Sequence, residues 1–195
     1  MQKIKTSDFV FSKQAKKLPE IISINEEVAY ILGLWKADRC STAKGIVGLR
    51  NKDSKLLNAF GKFINKMQLE TKERTVTGYG KTKEIYCCSM PLRRILEFIA
   101  QNRLELLDNQ NLVLSYIAGL IDGDGSTGNL SHLVIFYNRD EIQDAEIDAK
   151  LIKRLGFNTT IKEKRNHLRL YILNPKNLIK KLFAMVVLKR KLVAS

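Results

Sequence analysis

The sequence predicts an α+β protein made of two tandem αββαββα units related by a pseudo-twofold axis. Three observations carry this. The chain repeats itself, the same order of helical and alternating apolar patterns recurs in each copy, and one helix of each copy has small residues at every fourth position. The repeat is read directly. AYILGLWKADRCST from Ala29 matches SYIAGLIDGDGST from Ser115 at an offset of 86. Asn51-Lys52-Asp53 matches Asn138-Arg139-Asp140 at 87, and Phe63–Met67 matches Leu151–Leu155 at 88. Met90-Pro91 matches Asn174-Pro175 at 84, so the offset drifts only as loop insertions would make it drift. The expected division is a basic arm over 1–22, a first unit over 23–105 and a second over 106–195.

Within each unit the elements follow in order. Ser23-Ile-Asn-Glu26 has the form of a capping box and opens a helix to about Ala37. Asp108 is placed to cap its counterpart, Asn109 to Gly123. GIVGLRN (45–51) and HLVIFYN (132–138) are rich in β-branched and aromatic residues and read as strands. Asp53 and Asp140 then cap helices over 54–67 and 141–155, whose apolar residues recur at helical spacing. Residues 72–88 form a hairpin turning at Gly78-Tyr-Gly80, and 158–173 form another turning near Arg165-Asn166. Pro91 and Pro175 stand at helix starts, where a missing N–H costs least.

Composition narrows the function. Lys and Arg number 34 against 20 Asp and Glu, a net charge of +14. So large an excess repels itself unless a polyanion neutralises it, and nucleic acid is the first such partner. Both halves share it, with 20 basic against 11 acidic residues in 1–105 and 14 against 9 in 106–195. No stretch of 18 apolar residues offers a membrane span, no secretory leader is visible, and no basic amphipathic helix flanks an apolar anchor. Cys40, Cys87 and Cys88 are odd in number and lack zinc-site spacing. The expected setting is reducing and intracellular: the cytoplasm or nucleoid of a prokaryote, or an organelle matrix.

The stretch IAGLIDGDGSTG, Ile117–Gly128, invites three explanations. A calcium loop fails, because counting from Asp122 puts Thr127 where glycine is needed and Leu133 where a bidentate glutamate is needed. A plain helix stop leaves the mid-helix Gly119 unexplained. A packed helix pair explains it. Ala29, Gly33 and Ala37 on one helix, and Ser115, Gly119 and Gly123 on the other, form stripes that let two backbones approach. Both helix C-termini then lie together, and the next residues are Asp38 and Asp124. Acids repel at negative helix ends, where cations would be favoured. Either each aspartate caps a local turn, or divalent metal neutralises the pair. Mg²⁺ suits the second case, since it takes one or two carboxylates, carbonyls and waters and leaves room for phosphate oxygens.

Ile117-Ala-Gly-Leu-Ile-Asp-Gly-Asp-Gly125 resembles the LAGLIDADG motif of homing endonucleases, and Ile31-Leu-Gly-Leu-Trp-Lys-Ala-Asp-Arg39 resembles a diverged second copy. With the repeat, the resemblance covers about residues 24–195. It implies a single-chain, pseudosymmetric, monomeric enzyme with the motif helices at the interface and antiparallel sheets forming a DNA-binding saddle. The implied activity is site-specific, metal-dependent cleavage of double-stranded DNA at a long, weakly palindromic target. Mg²⁺ is the implied cofactor, with Mn²⁺ as substitute. Asp38 and Asp124 are the implied metal ligands, joined by the carbonyls of Ala37 and Gly123. Asn51 and Asn138 match a polar position near the active-site water, with strand-end turns as the alternative. Lys189 fits a basic position after the last helix, with a solvated tail as the alternative. The motifs differ: Lys36 stands where the second has Asp122, and Arg39 where it has Gly125. Lys36 and Arg39 are candidates to hold phosphates, or to slow cleavage of one strand. His132 and His167 have no motif claim and read as strand or loop residues.

Base recognition is expected from the hairpins, with Lys72, Arg74, Lys81, Lys83, Lys162, Lys164, Arg169 and Tyr171 as candidate DNA contacts, and Arg139, outside the hairpins, is a further candidate. Their strand parity is not fixed by the sequence. No splicing domain flanks the repeat, which favours an intron-encoded or free-standing enzyme over an intein. The competing function on the same scaffold is an RNA maturase acting on host intron RNA, or a DNA-binding protein that does not cut. Retention of both acids favours cleavage.

Overall fold

A computed structural model describes residues 2–10, 12, 17–40, 45–76, 82–127 and 132–182. The first set of elements runs α1 (Glu26–Asp38), β3 (Ile46–Asn51), α2 (Ser54–Lys66), β4 (Lys72–Val76), β5 (Thr82–Cys88) and α3 (Met90–Gln101). They are preceded by β1 (Lys3–Lys5) and β2 (Ile21–Ser23). A short helix, α4 (Arg103–Leu106), leads to the second set: α5 (Gln110–Asp124), β6 (Gly125–Thr127), β7 (His132–Asn138), α6 (Ile142–Arg154), β8 (Thr159–Lys164), β9 (His167–Leu173) and α7 (Lys176–Leu182). The class is α+β with antiparallel sheets, in the orders β3-β5-β4 and β6-β7-β9-β8. An isolated bridge between Arg39 and Leu49 stands in the first sheet where β6 stands in the second.

Helix ends show where local sequence signals were misread by a residue or two. Asn25, not Ser23, caps α1 by accepting from Val28 N at 2.9 Å. Ser23 is occupied in β2, which pairs with β1. Likewise Asn109, not Asp108, caps α5 by accepting from Leu112 N at 3.1 Å. Asp53 caps α2 as expected, accepting from Lys55 N at 2.7 Å. Asp140 does not cap α6. Asn138 and Glu141 form a reciprocal capping box around a 3-10 turn, Arg139–Glu141, that precedes the helix. The described parts of the first 22 residues lie against the first set of elements. Ile4 and Ile22 are buried in the main core, and Phe9 meets Phe98 of α3 edge-on with ring centroids 5.4 Å apart.

Helices α1 and α5 form the centre of the molecule. Most of each is buried on all sides, as a helix flanked by protein throughout must be. The contact is symmetric and close. A Cβ on Gly33 would overlap the Tyr116 carbonyl oxygen and stand 2.9 Å from Leu120 N. A Cβ on Gly119 would overlap the Tyr30 carbonyl oxygen and stand 2.7 Å from Leu34 N. Tyr30 and Tyr116 are themselves repeat partners. At the far end, Gly123 lies so close to α1 that its Cβ would overlap the Ala37 side chain. The sheets flank this pair with their apolar faces turned inward: Val47, Leu49, Ile85 and Cys87 in one, Leu133, Ile135, Leu168, Leu170 and Ile172 in the other.

A test of this contact is Gly33→Ala. Alanine favours an isolated helix by about 1 kcal/mol over glycine. Overlap with backbone atoms should reverse that sign and cost about 1–3 kcal/mol net. The urea midpoint should therefore fall, and a rise would refute the close approach.

Candidate metal and nucleic-acid site

The helix contact places the two C-terminal acids at the same end of the interface. Asp38 ends α1 and Asp124 ends α5. The Asp38 carboxylate reaches across the last turn of α5, where a Cβ on Gly123 would stand 3.2 Å from Asp38 Oδ2. Asn51, at the end of β3, donates from Nδ2 to Asp38 Oδ2 at 2.6 Å, and Asp53 N donates to Asn51 Oδ1 at 2.8 Å. The amide is thus held from one side and orients the acid from the other. Asp124 lines an open cavity of about 310 Å³ with Lys36, Ala37, Arg39, Phe136, Tyr137, Asn138, Glu141 and His167.

The donor set is two carboxylates and the last carbonyls of two helices. Those carbonyls lack the intrahelical partners that earlier turns supply. Oxygen donors of this kind fit a hard cation such as Mg²⁺. Among the described residues no three His, Cys, Asp or Glu side chains cluster as a protein-only metal cage.

The sheets supply a register that the sequence lacked. Leu49 pairs with Ile85 and Ile135 with Leu170, so these strands match at an offset of 86, not 87. Asn51 therefore corresponds to Tyr137, and Asn138 falls on the opposite face. A one-residue slip reverses every side chain. Asn138 accordingly serves the helix cap, its Nδ2 donating to Glu141 Oε2 at 3.1 Å. Tyr137 donates to the buried Asp148 at 2.9 Å. The two halves of the site are unequal.

The first-motif cations are engaged within the protein. Lys36 is only 8% exposed, and its ammonium pairs with Asp144 Oδ2 at 2.9 Å. Asp144 is shared by Arg103, which also meets the fully buried Asp148 at 2.7 Å. Tyr116 donates to the same Asp148 at 3.0 Å. The motif departure explains this network. Tyr30 donates to Asp122 of the opposite helix at 2.8 Å. Its counterpart Tyr116 has Lys36 at the matching motif position and turns to Asp148 instead. Burial, with the neighbouring Asp122, raises the Tyr30 phenol far above its ordinary range. Arg39 reaches Glu141 of the second unit at 3.3 Å. Arg139 pairs with Glu163 at 2.5 Å, between two exposed side chains, where such pairs contribute little.

The sheet faces turned away from the helices carry most of the expected DNA contacts. On the second sheet Lys162 and Lys164 of β8 and Arg169 and Tyr171 of β9 share this face, because Lys162 pairs with Arg169, Lys164 with His167 and Thr160 with Tyr171. Aromatic rings interleave with the cations. Lys162 lies 5.4 Å from the Tyr171 ring centroid and Arg169 lies 5.5 Å from that of Phe136. His167 is in β9 and accepts from Arg169 Nε at 2.8 Å, and His132 begins β7. On the first sheet Lys72 and Arg74 share the outward face with Tyr86. Lys83 has the opposite parity, between Asn51 and Thr75. Lys81 and Lys189 lie outside the described residues.

Sequence reading missed Glu84, Arg50, Phe136, Asp148 and Arg103. Only partners distant in the chain give these residues meaning. Glu84 is fully buried on β5 between Arg50 and Arg74, with Arg50 Nε donating to Oε1 at 2.6 Å and Arg74 Nε donating to Oε2. Burial opposes its ionisation, but the bonds from Arg74 and Arg50 prevail and hold its carboxyl below the usual range. Cys40, buried beside this group, has its thiol pushed up to about 11, by burial first and then by Glu84. Asp144 is also lowered, because Lys36 and Arg103 outweigh the cost of its burial.

The fold is that of the LAGLIDADG proteins: paired αββαββα units that share a helix interface ending in two acids. Among solved structures, the homing endonuclease I-DmoI in complex with DNA and Mn matches with a TM-score of 0.64 at 20% identity, over 85% of this chain and 98% of that one. The N-terminal LAGLIDADG domain of DUF199/WhiA matches with a TM-score of 0.63 at 18% identity, over 89% of each chain. Full-length DUF199/WhiA from Thermatoga maritima matches at 0.64 and 20% identity, over 88% of this chain and 59% of that one. No family model matches the sequence. A subunit of the A-type ATP synthase of Methanopyrus kandleri is 29% identical over 140 residues, which is 71% of this chain but only 14% of that protein. No described helix is long and apolar enough to cross a membrane.

The lowered carboxyls of Glu84 and Asp144 set the direction of the acid response. Each contributes stability that is present above the unfolded carboxylate range, about pH 4, and lost as pH falls through the lower folded value. The urea midpoint should hold from pH 7 to 5 and fall below pH about 4. Glu84→Gln should make that acid fall shallower. A midpoint flat to pH 3 would contradict both ion groups.

Proposed function

We propose that this protein is a site-specific double-stranded DNA endonuclease, a metal-dependent hydrolase that acts as a monomer on a long, weakly palindromic target. The observation that carries the reading is the placement of Asp38 and Asp124 at two helix C-termini that pack through glycines. Acids there oppose both helix dipoles and each other, so a role in cation binding explains them better than capping does. Asp38, Asp124 and the carbonyls of Ala37 and Gly123 would hold Mg²⁺, with Mn²⁺ as substitute. When bound, the cation supplies Lewis-acid stabilisation of phosphate and a more acidic water.

The chain's own residues do the rest. Asn51 keeps the Asp38 carboxylate directed across α5. Lys36 neutralises Asp144 beside the cavity, and so keeps that second acid from competing for cations there. The outward sheet faces offer cations and aromatic rings to a duplex, where cations bind phosphates or guanine edges. Lys189 stays a candidate for the basic group after the last helix. The unequal surroundings of Asp38 and Asp124 favour different cleavage rates on the two strands. An intron-encoded or free-standing gene fits this reading.

The DUF199/WhiA structures share the fold as closely as I-DmoI does, so a second reading has its own support. The protein would then bind without cutting, as a DNA-binding regulator or as a maturase on host intron RNA. One experiment separates the readings. Purified protein is incubated with Mg²⁺ and intron-free genomic DNA from a close relative of the host, and new ends are sequenced. The expected result is one recurrent double-strand break, absent with Asp38→Asn and with Asp124→Asn, whose rates should fall at least about 100-fold. Tight binding with no new ends from the unaltered protein would favour the second reading.

A further inference from the structure

The two outward sheet faces have unlike centres, and this carries an inference that rests on the DNA-binding reading above. In the first sheet Arg50, Glu84 and Arg74 lie directly opposite one another on three strands. The shared register places Phe136, Arg169 and Lys162 at the same three positions of the second sheet. The first row contains a buried carboxylate between two guanidiniums. The second contains two cations and a ring, with no acid.

The acid fixes how the guanidiniums point. Arg50 commits Nε and Nη2 to Glu84 Oε1, which leaves Nη1. Arg74 commits only Nε to Oε2, which leaves both Nη groups as a fork. Among the described residues, neither Nη of Arg74 has a hydrogen-bond partner, and its side chain is 48% exposed. The Tyr86 ring lies beneath it, 5.3 Å from the guanidinium carbon. A guanidinium held by Nε and by a ring presents its two Nη groups in one plane. That plane matches the O6 and N7 acceptors of guanine, the commonest specific base contact in the major groove. A phosphate can accept the same fork, so selection by base identity is what separates the two, whereas Lys162, at the Arg74 position, has no fork to orient.

We propose that Glu84 is a positioning residue that locks Arg74, and secondarily Arg50, for guanine readout, so that the first unit fixes one half of the target by base identity. The second row has no such acid: Arg169 is held by His167 Nε2 and the Phe136 ring, and Lys162 has no fork to direct. Glu84 does not touch the DNA. It removes the rotamer freedom that a free arginine would lose on binding, and it suppresses repulsion between two neighbouring guanidiniums.

The test is selection from a pool of randomised duplex DNA by the full chain in EDTA, so that cleavage cannot deplete the pool. The unaltered protein should enrich a long site with guanine at one or two positions of one half. Glu84→Gln should lower that guanine enrichment roughly tenfold while the other half keeps its preferences and the affinity for unselected duplex does not fall. Arg74→Lys keeps the surface charge without relying on the buried acid, and should lose the same positions. Loss spread evenly over all positions would mark a general effect on folding or charge and overturn the lock. An unchanged profile for Glu84→Gln, or for Arg74→Lys, would overturn it too. In those cases the DNA-binding reading survives. If the unaltered protein bound no duplex, both would fall together.

Discussion

The structure depends on one close approach, the crossing of α1 and α5 at Gly33 and Gly119. Each glycine faces a carbonyl oxygen of the other helix, Tyr116 for Gly33 and Tyr30 for Gly119, with no room for a methyl group. A mid-helix glycine costs about 1 kcal/mol of helix stability. The return is that two backbones, rather than two layers of side chains, set the distance between the units. Everything at the C-terminal end follows from that distance. Gly123 meets Ala37, the Asp38 carboxylate passes over α5, and the two acids share one end of the interface. Larger residues on the stripe would hold the helices farther apart and spread the acids.

Around this symmetric centre the two units have diverged in their charges. At the sixth motif position one copy has Asp122, which accepts from Tyr30 across the interface, and the other has Lys36. The lysine could not accept from Tyr116, so Tyr116 donates to Asp148, and Lys36 pairs with Asp144. A single change of sign therefore recruits α6 and, through Arg103, the connection between the units. Removing Arg103 would leave Asp148 buried with only two phenols as partners, and breaking such a pair costs about 3–5 kcal/mol. The asymmetry at the acids has the same origin. The first half has an amide on its acid, and the second has a cavity bordered by Lys36 and Glu141.

Much of this was legible in the sequence because repetition supplies a second reading of every element. The small stripe at spacing four could be seen, and so could the acids that follow it. The turn at Arg165-Asn166 was also visible, with β8 ending at Lys164 and β9 beginning at His167. Three things were not. Caps at Asn25 and Asn109 were hidden because neighbouring residues, Ser23 and Asp108, are equally good capping types. Strand register was hidden because an Asn-basic-Asp triplet recurs one residue out of step, which put Asn138 in place of Tyr137. The fate of cations was hidden because Lys36, Arg74 and Lys162 look alike in a sequence, whereas burial and partners make them three different groups.

Those three cations show why net charge alone says little about recognition. Lys36 contributes to the +14 total, yet its ammonium is paired with Asp144. Lys162 lies beside the Tyr171 ring with no fork to direct, and Arg169 is held by His167 and the Phe136 ring without an acid. Arg74 differs from both, because a buried carboxylate as well as a ring constrains it. The Arg50–Glu84–Arg74 row has a net charge of +1, and the Phe136–Arg169–Lys162 row has +2. The first row is thus weaker in long-range attraction, and an acid holds both of its guanidiniums. Attraction that falls with salt and readout that depends on fixed donors are separable quantities. In a pseudosymmetric protein, a single acid on one sheet can divide them between the two halves of a target without altering the fold that both halves share.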